Sequence, residues 1–217
     1  MKKLITIILS VAIITTMAII FTGCTNDSLY KLTREFNNIS DTAASMDSVD
    51  KADINTVSLS IESNDVMMTL EYSLDAETLT LIDKVDAVRG LYDLISEKTD
   101  NIEAMKTDLK AEVTVIKSLI KDLRSQNAVL TDDERAIIDA YITEIRTISV
   151  TLSDTIGKAY LRMHELKGSY TLGNIDTVLT TFTEVNDVLQ IRVDSLVRLG
   201  EIAEEINIML TAKIAIE

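Results

Sequence analysis

Apolar residues recur alternately every four and three positions between residues 81 and 123, and this repeat constrains the fold more than any other feature. Eleven of its thirteen positions are apolar, and Thr99 and Lys106 are the two polar members. A 3.5-residue repeat held over about six heptads is typical of a coiled coil or a helical bundle. The chain also contains no proline, a residue that breaks long helices. We therefore expect one helix here, running through Gly90.

A second helix is expected to begin at about Asp132. Thr131 and Glu134 match the Thr-x-x-Glu capping box, in which each residue satisfies a backbone N–H of the other. Apolar residues then keep the helical spacing as far as Leu166. The spacing slips once, over residues 148–156, where two successive steps of four occur. We expect the helix to continue through this slip.

A third helix is expected after the glycine-containing break at residues 168–173. Asn174 is a suitable N-cap, because its short side chain can accept a hydrogen bond from the first helical turn. Apolar residues follow at helical spacing from Ile175 to Leu210, and Arg192 is the one polar member of that series.

The region before residue 76 gives a weaker signal. Apolar residues from Leu29 to Met46 keep the 3.5-residue spacing, which predicts a helix. Ser, Thr, Asn and Asp are abundant from residue 37 to residue 65, and their side chains compete with the helix for backbone hydrogen bonds. We expect a fourth, less regular helix that is interrupted between about residues 47 and 65; a flexible tether is the alternative.

Together these patterns predict an all-α fold, an elongated antiparallel, coiled-coil-like bundle of three long helices and a less regular N-terminal one. The short connections at residues 125–131 and 168–173 favour antiparallel neighbours. We divide the chain into a signal peptide at 1–23, a tether or irregular helix at 24–75 and the helical bundle at 76–217.

The N-terminal segment predicts where the protein resides. A basic start is followed by an uncharged apolar run from Leu4 to Thr22, as in a secretory signal peptide. The run ends in Ile-Phe-Thr-Gly-Cys at residues 20–24, which resembles the lipobox of bacterial lipoproteins, with Phe21 in place of the usual Leu. The resemblance implies cleavage before Cys24 and attachment of palmitate-type acyl chains to its thiol, on the extracytoplasmic face of the cell membrane. An uncleaved anchor helix is the alternative, since the run is about long enough to span a bilayer.

Charge and motif content exclude several classes of function. The chain carries 35 acidic and 21 basic residues, a net charge of −14, which disfavours binding to nucleic acid. It contains one cysteine and one histidine, and no glycine-rich nucleotide-binding motif. We therefore expect no cofactor, no metal and no enzymatic activity. His164, the one histidine, is expected on a solvated helix flank.

A polar layer is expected partway along the bundle. If the helices run antiparallel through the two short connections, Lys106, Asp154 and Arg192 come to similar heights. One interpretation is a register device, a polar layer that prevents the helices from sliding past one another. The other is an anion-binding niche between the helices, since two unpaired buried cations would be unfavourable. The basic residues can also pair with Asp154, Glu103 or Asp187.

The distal tip of the bundle, with Gly168, Tyr170 and Gly173, is a second candidate site. The leading hypothesis is a non-enzymatic, lipid-anchored scaffold or interaction module of the bacterial envelope, whose partner is an envelope protein or the cell wall. The alternative is a sensory-type bundle that binds a small ligand between its helices.

Overall fold

The computed structural model describes residues 27–46, 76–166 and 174–215, with side chains from Thr80 onward in the second range. The regular elements of these ranges are all helices. They are α1 over residues 27–44, α2 over Ala76–Ser125, α3 over Asp132–Ser153, α4 over Lys158–Leu166 and α5 over Ile175–Ala215. This confirms the predicted all-α helical bundle. Among the helices of the described ranges, none combines the length and the apolar composition that a membrane-spanning helix needs.

The helices pack into two compact units, and α1, α2, α3 and α5 each contribute to both. Among the described residues, unit 1 contains 27–40, 109–148 and 199–215. Unit 2 contains 41–46, 76–108, 149–166 and 174–198.

Unit 1 buries the apolar stripes of its four helical segments against one another. Its core includes Leu29, Leu32, Phe36, Ile39, Val113, Ile116, Ile120, Ile138, Ile145, Ile202, Ile206 and Leu210. Side-chain contacts give the helix directions. Ser28 donates to Asp139, and Arg146 donates to Glu35, so α1 and α3 run parallel. Tyr141 bonds Glu205 and Lys213 bonds Glu134, so α3 and α5 run antiparallel.

Unit 2 has a core of the same kind. Its buried apolar residues include Val85, Val88, Ile95, Ile102, Leu152, Ala159, Met163, Val178, Phe182, Val185, Leu189 and Leu196. Lys84 pairs with Asp176, and Lys98 donates to Asn186, so α2 and α5 run parallel here. The predicted long helix through Gly90 is confirmed by α2.

The connection between α2 and α3 is specified by local sequence at both ends. Asn127 adopts a positive φ of 53°. The backbone N–H of Ala128 then reaches the carbonyl of Leu123 at 3.0 Å, which closes the end of α2 as a Schellman motif. At the start of α3, Glu134 accepts from the backbone N–H of Thr131 at 2.6 Å, and Thr131 Oγ1 accepts from the backbone N–H of Glu134 at 3.2 Å. The predicted capping box is therefore confirmed.

The prediction of one helix from residue 132 to residue 166 is wrong. α3 ends at Ser153, residues 154–157 form a turn, and α4 begins at Lys158. Gly157 has a φ of 77°, a left-handed conformation that ends a helix and that glycine adopts without strain. Ile156, placed by the sequence on the apolar stripe, is exposed, and Thr155 is buried in its stead. The slip in spacing is accommodated by breaking the helix and not by underwinding it.

Several predictions lie outside the described residues. These are the signal peptide and lipobox with Cys24, the interruption expected between residues 47 and 65, and the distal tip with Gly168, Tyr170 and Gly173. The domain boundaries stay predictions. Within the segment 24–75, the described part of α1 packs on α3: Leu32, Phe36 and Ile39 are completely buried.

Candidate functional site

Arg192 is a buried cation of unit 2, and it lies at the interruption between α3 and α4. Arg192 of α5 is 1% exposed and is the largest fully buried side chain among the described residues. Its Nη2 donates to the carbonyl oxygen of Thr155 at 2.6 Å, and its Nε donates to Thr155 Oγ1 at 3.0 Å. The carbonyls at the end of a helix carry partial negative charge, so a guanidinium at this position is stabilised electrostatically.

Thr155 connects the buried cation to the backbone of α3. Its hydroxyl donates to the carbonyl of Leu152 at 2.6 Å while it accepts from Arg192. A threonine hydroxyl has one hydrogen to donate and lone pairs to accept with, so both bonds form together. The backbone N–H of Thr155 also donates to Leu152, at 2.9 Å, in the tighter geometry of a 3₁₀ turn. Arg192 therefore holds the turn that separates the two helices.

Lys106 and Asp154, the other predicted members of the polar layer, have different surroundings. The Lys106 ammonium is 2.9 Å from Glu103, one of the carboxylates considered for it from sequence, and its side chain is largely shielded from solvent. Asp154 is exposed in the turn. Thr99 of α2 is buried and donates to the carbonyl of Ile95 at 2.7 Å. The buried polar residues of unit 2 thus include Thr99, Thr155 and Arg192, a set that sequence reasoning identified only in part.

The relative heights of Lys106 and Arg192 follow from a contact between the two parallel helices. Lys98 Nζ donates to Asn186 Oδ1 at 2.7 Å. At about 1.5 Å of rise per residue, Lys106 lies about 12 Å beyond Lys98 and Arg192 about 9 Å beyond Asn186. The two cations therefore lie within about one helical turn of each other in height. Arg192 is held by Thr155 and Lys106 is paired with Glu103, and both the register device and the anion niche stay predictions.

A groove of about 470 Å³ follows the contact between α4 and α5 in unit 2. Leu161 and Val188 supply its apolar lining, and charged side chains, Arg162 among them, surround them. Arg162 Nη1 lies 3.0 Å from Glu165 and its Nε lies 2.9 Å from Glu184. The hydrogen bond to Glu165 and the charges of both carboxylates raise the pKa of Arg162. A ligand or partner in this groove would contact the apolar side chains of Leu161 and Val188, next to charged side chains that are paired with one another.

The outer face of α4 carries apolar and aromatic side chains that the fold leaves exposed. Tyr160 and Leu161 are about half exposed, and Ile156 in the preceding turn is also exposed. The ring of His164 stacks on Tyr160 with the centroids 5.7 Å apart and the planes 14° apart. His164 is exposed, as the sequence predicted. Sequence reasoning did not single out this face, although Tyr160 and Leu161 lie off the apolar stripe formed by Ala159, Met163 and Leu166.

The described residues contain no group of three or more His, Cys, Asp or Glu side chains placed to hold a metal ion. No protein-family model, curated protein or solved structure matches the chain.

Proposed function

We propose that the protein is a lipid-anchored, extracytoplasmic helical scaffold of the bacterial envelope that binds another protein or the cell wall and has no enzymatic activity. The anchor is the lipid on Cys24. The observation that carries the interaction role is the exposure of Ile156, Tyr160 and Leu161 just after the break between α3 and α4, together with the groove of unit 2 that Leu161 lines.

Exposed residues of this kind support binding to a partner. Isolated exposed apolar residues are common, but a cluster next to a groove is characteristic of interaction surfaces. Tyrosine and arginine are enriched among the residues that contribute most to binding energy, and Tyr160 and Arg162 lie on the same short helix. The net charge of −14 gives no attraction to anionic lipid, so the lipid on Cys24 has to supply the membrane attachment.

The anchor is tested with the variant Cys24→Ser and intact-mass analysis of the protein from its native host. We expect the mature wild-type chain to begin at Cys24 with a diacyl or triacyl addition and to fractionate with membranes. When a cleavable signal peptide is supplied, we expect the variant to be released in soluble form. An unmodified chain that still begins at Met1 would contradict the lipoprotein assignment.

The interaction role is tested by site-specific photo-crosslinking in cells. A photoreactive residue at position 161 is compared with one at position 129, because Val129 is exposed to a similar extent and lies in the α2–α3 connection. We expect a discrete crosslinked species of defined mass from position 161 and none from position 129. Equal crosslinking at both positions would indicate nonspecific collision.

A sensory-type bundle is the second candidate, and the volume of the groove supports it. About 470 Å³ lies within the range of small-molecule sites, roughly 300–1,000 Å³. Under this hypothesis a small metabolite raises the melting temperature of the wild-type protein. The variant Arg162→Met, which unpairs Glu165 and Glu184, loses that shift. A metabolite screen without any hit would leave the scaffold as the better proposal.

A further inference from the structure

A separate groove of about 760 Å³ lies in unit 1, along the outer face of α5 beside Glu112 of α2. Gly200, Glu204, Ile208 and Ala212 follow one another every four residues and form one ridge of α5. Ile208, in the second half of this ridge, is 63% exposed. At about 1.5 Å of rise per residue, the ridge extends roughly 18 Å, which is the length of about three helical turns.

The small residues of the ridge allow a close approach. A Cβ atom built on Gly200 would meet no atom within 4 Å, so the backbone of α5 is open to the outside there. Ala212 lies at the other end of the ridge. An incoming side chain can fill the space over each small residue while Ile208 enters the groove of the partner, which is the ridge-into-groove geometry of packed helices.

The charges at this groove have one sign. Glu112 and Glu204 are among its lining residues, and no basic residue is. Glu112 accepts a hydrogen bond from Asn207 Nδ2 at 3.3 Å, which holds its carboxylate at the edge of the groove. Asn207 Oδ1 in turn accepts from Thr211 at 3.2 Å. A second copy of this chain, with its net charge of −14, is disfavoured as the occupant by like-charge repulsion.

We propose that the groove along Gly200–Ala212 is a docking surface for a basic amphipathic helix of another protein. The apolar face of that helix packs over Ile208, and its flanking Lys or Arg side chains lie against Glu112 and Glu204. The inference rests on the interaction role proposed above but uses a different surface, and it does not depend on lipidation at Cys24.

The test measures peptide binding by fluorescence anisotropy. The chain is used from residue 24 onward with Cys24→Ser, which retains all described residues and avoids detergent. The probe is a labelled 14-residue peptide with Leu and Ala on one helical face and Lys on the other. Two control peptides are matched to it: one in which Glu replaces Lys, and one of identical composition whose scrambled order has no amphipathic face. We expect the ordered basic peptide to bind at least tenfold more tightly than either control.

Two protein variants distinguish binding at the groove from nonspecific attraction between the basic peptide and the acidic protein. Ile208→Lys places a cation in the groove, and Val129→Lys makes the same change at another exposed apolar position of unit 1. We expect Ile208→Lys to weaken binding at least tenfold and Val129→Lys to change it less than twofold. Both side chains are exposed, so we expect both variants to fold.

Three results would overturn the proposal: no binding by the wild type, equal binding of the scrambled peptide, or equal weakening by the two variants. Sedimentation that shows a wild-type dimer abolished by Ile208→Lys would assign the groove to a second copy. The peptide-binding test uses a chain without lipid, so its result does not depend on whether Cys24 is lipidated. A negative result in the lipidation test and a negative result in the peptide-binding test therefore contradict different proposals.

Discussion

Arg192 Nη2 lies 2.6 Å from the carbonyl oxygen of Thr155, so a completely buried guanidinium caps the turn at which α3 ends. The two residues are 37 positions apart in the chain. An arginine inside a helical bundle is unfavourable unless its hydrogens are satisfied. The broken helix supplies a carbonyl and a hydroxyl for that purpose, so the interruption and the buried cation stabilise each other.

The mutual dependence of Arg192 and Thr155 predicts non-additive substitutions. Arg192→Met leaves both Thr155 oxygens without this donor, and Thr155→Val removes the hydroxyl. We expect each variant to lower the free energy of unfolding by about 1–3 kcal/mol. We expect the double variant to lose about 1 kcal/mol less than the sum of the two, as measured by urea denaturation.

Two further variants control this cycle. Arg192→Lys is expected to be destabilised as well, because an ammonium cannot reproduce the two-point geometry of the guanidinium. Lys106→Met removes a cation paired with Glu103 of its own helix, and we expect a change below about 1 kcal/mol. Strict additivity of Arg192→Met and Thr155→Val would show that the two side chains are not coupled.

Gly157 and Gly90 predict opposite effects of the same substitution. Gly157→Ala forces a Cβ into a φ of 77° and should lower the free energy of unfolding by about 1 kcal/mol. Gly90→Ala replaces an exposed glycine inside α2 and should raise it by about 1 kcal/mol. Neither new Cβ would meet an atom within 4 Å, so backbone conformation alone determines the sign. Urea denaturation of both variants provides the measurement; stabilisation by Gly157→Ala would show that the turn is not required.

The contrast between α2 and the α3–α4 interruption shows what the sequence could predict. The long repeat from residue 81 to residue 123 specifies α2, because each turn presents an apolar residue to the same side. The capping box at Thr131 specifies the start of α3 through contacts within four residues. Two successive four-residue steps in the apolar spacing, in contrast, can be accommodated either by underwinding a helix or by breaking it. The broken form is stabilised by Gly157 in the turn and by the contact of Thr155 with Arg192, which is distant in sequence and therefore absent from a local pattern.

The candidate site was predictable to a similar degree. The sequence singled out Arg192 because it was the one polar residue in an apolar series, and the structure buries it. Thr155 was not singled out, because an extended stripe placed Ile156 inside. Beyond the break the apolar spacing holds, because Ala159, Met163 and Leu166 are buried in α4 and Tyr160 and Leu161 lie off that stripe.

Glu35 predicts a pH dependence of the packing of α1 in unit 1. Its carboxylate is buried and accepts from Arg146 Nη2 of α3 and from Arg34 Nη2, each at 2.9 Å. Burial raises the pKa of Glu35, but the hydrogen bonds and charges of Arg146 and Arg34 outweigh it, so the pKa lies below its ordinary value of 4.5. A carboxyl with a depressed pKa stabilises the fold above its unfolded pKa, and this contribution is lost as the pH falls through the folded pKa.

We therefore expect Glu35→Gln to destabilise unit 1 by about 1–2 kcal/mol near neutral pH and to have little effect well below pH 4.5. The measurement is urea denaturation of wild type and variant across this pH range. Ser28→Ala is the control, because it removes the bond to Asp139 between the same two helices without removing a titrating group. A pH-independent difference between wild type and Glu35→Gln would show that the carboxylate charge is not what stabilises α1.

Glu134 combines two roles at the start of α3, and substitutions can separate them. The carboxylate of Glu134 accepts hydrogen bonds both from the backbone N–H of Thr131 at 2.6 Å and from Lys213 Nζ of α5 at 3.1 Å. Burial raises the pKa of Glu134, but these hydrogen bonds and the charge of Lys213 outweigh it and lower the pKa.

We expect Thr131→Ala to destabilise the protein by about 1 kcal/mol through loss of the cap. Glu134→Gln keeps an acceptor for the N–H but loses the ion pair, so we expect a smaller effect, matched by that of Lys213→Met. Glu134→Ala removes both contacts and should exceed Glu134→Gln. Thermal unfolding gives the order, and amide exchange in the first turn of α3 reports the cap directly. If Lys213→Met accelerated that exchange as much as Thr131→Ala, the helix start would depend on α5 and not on its own capping box.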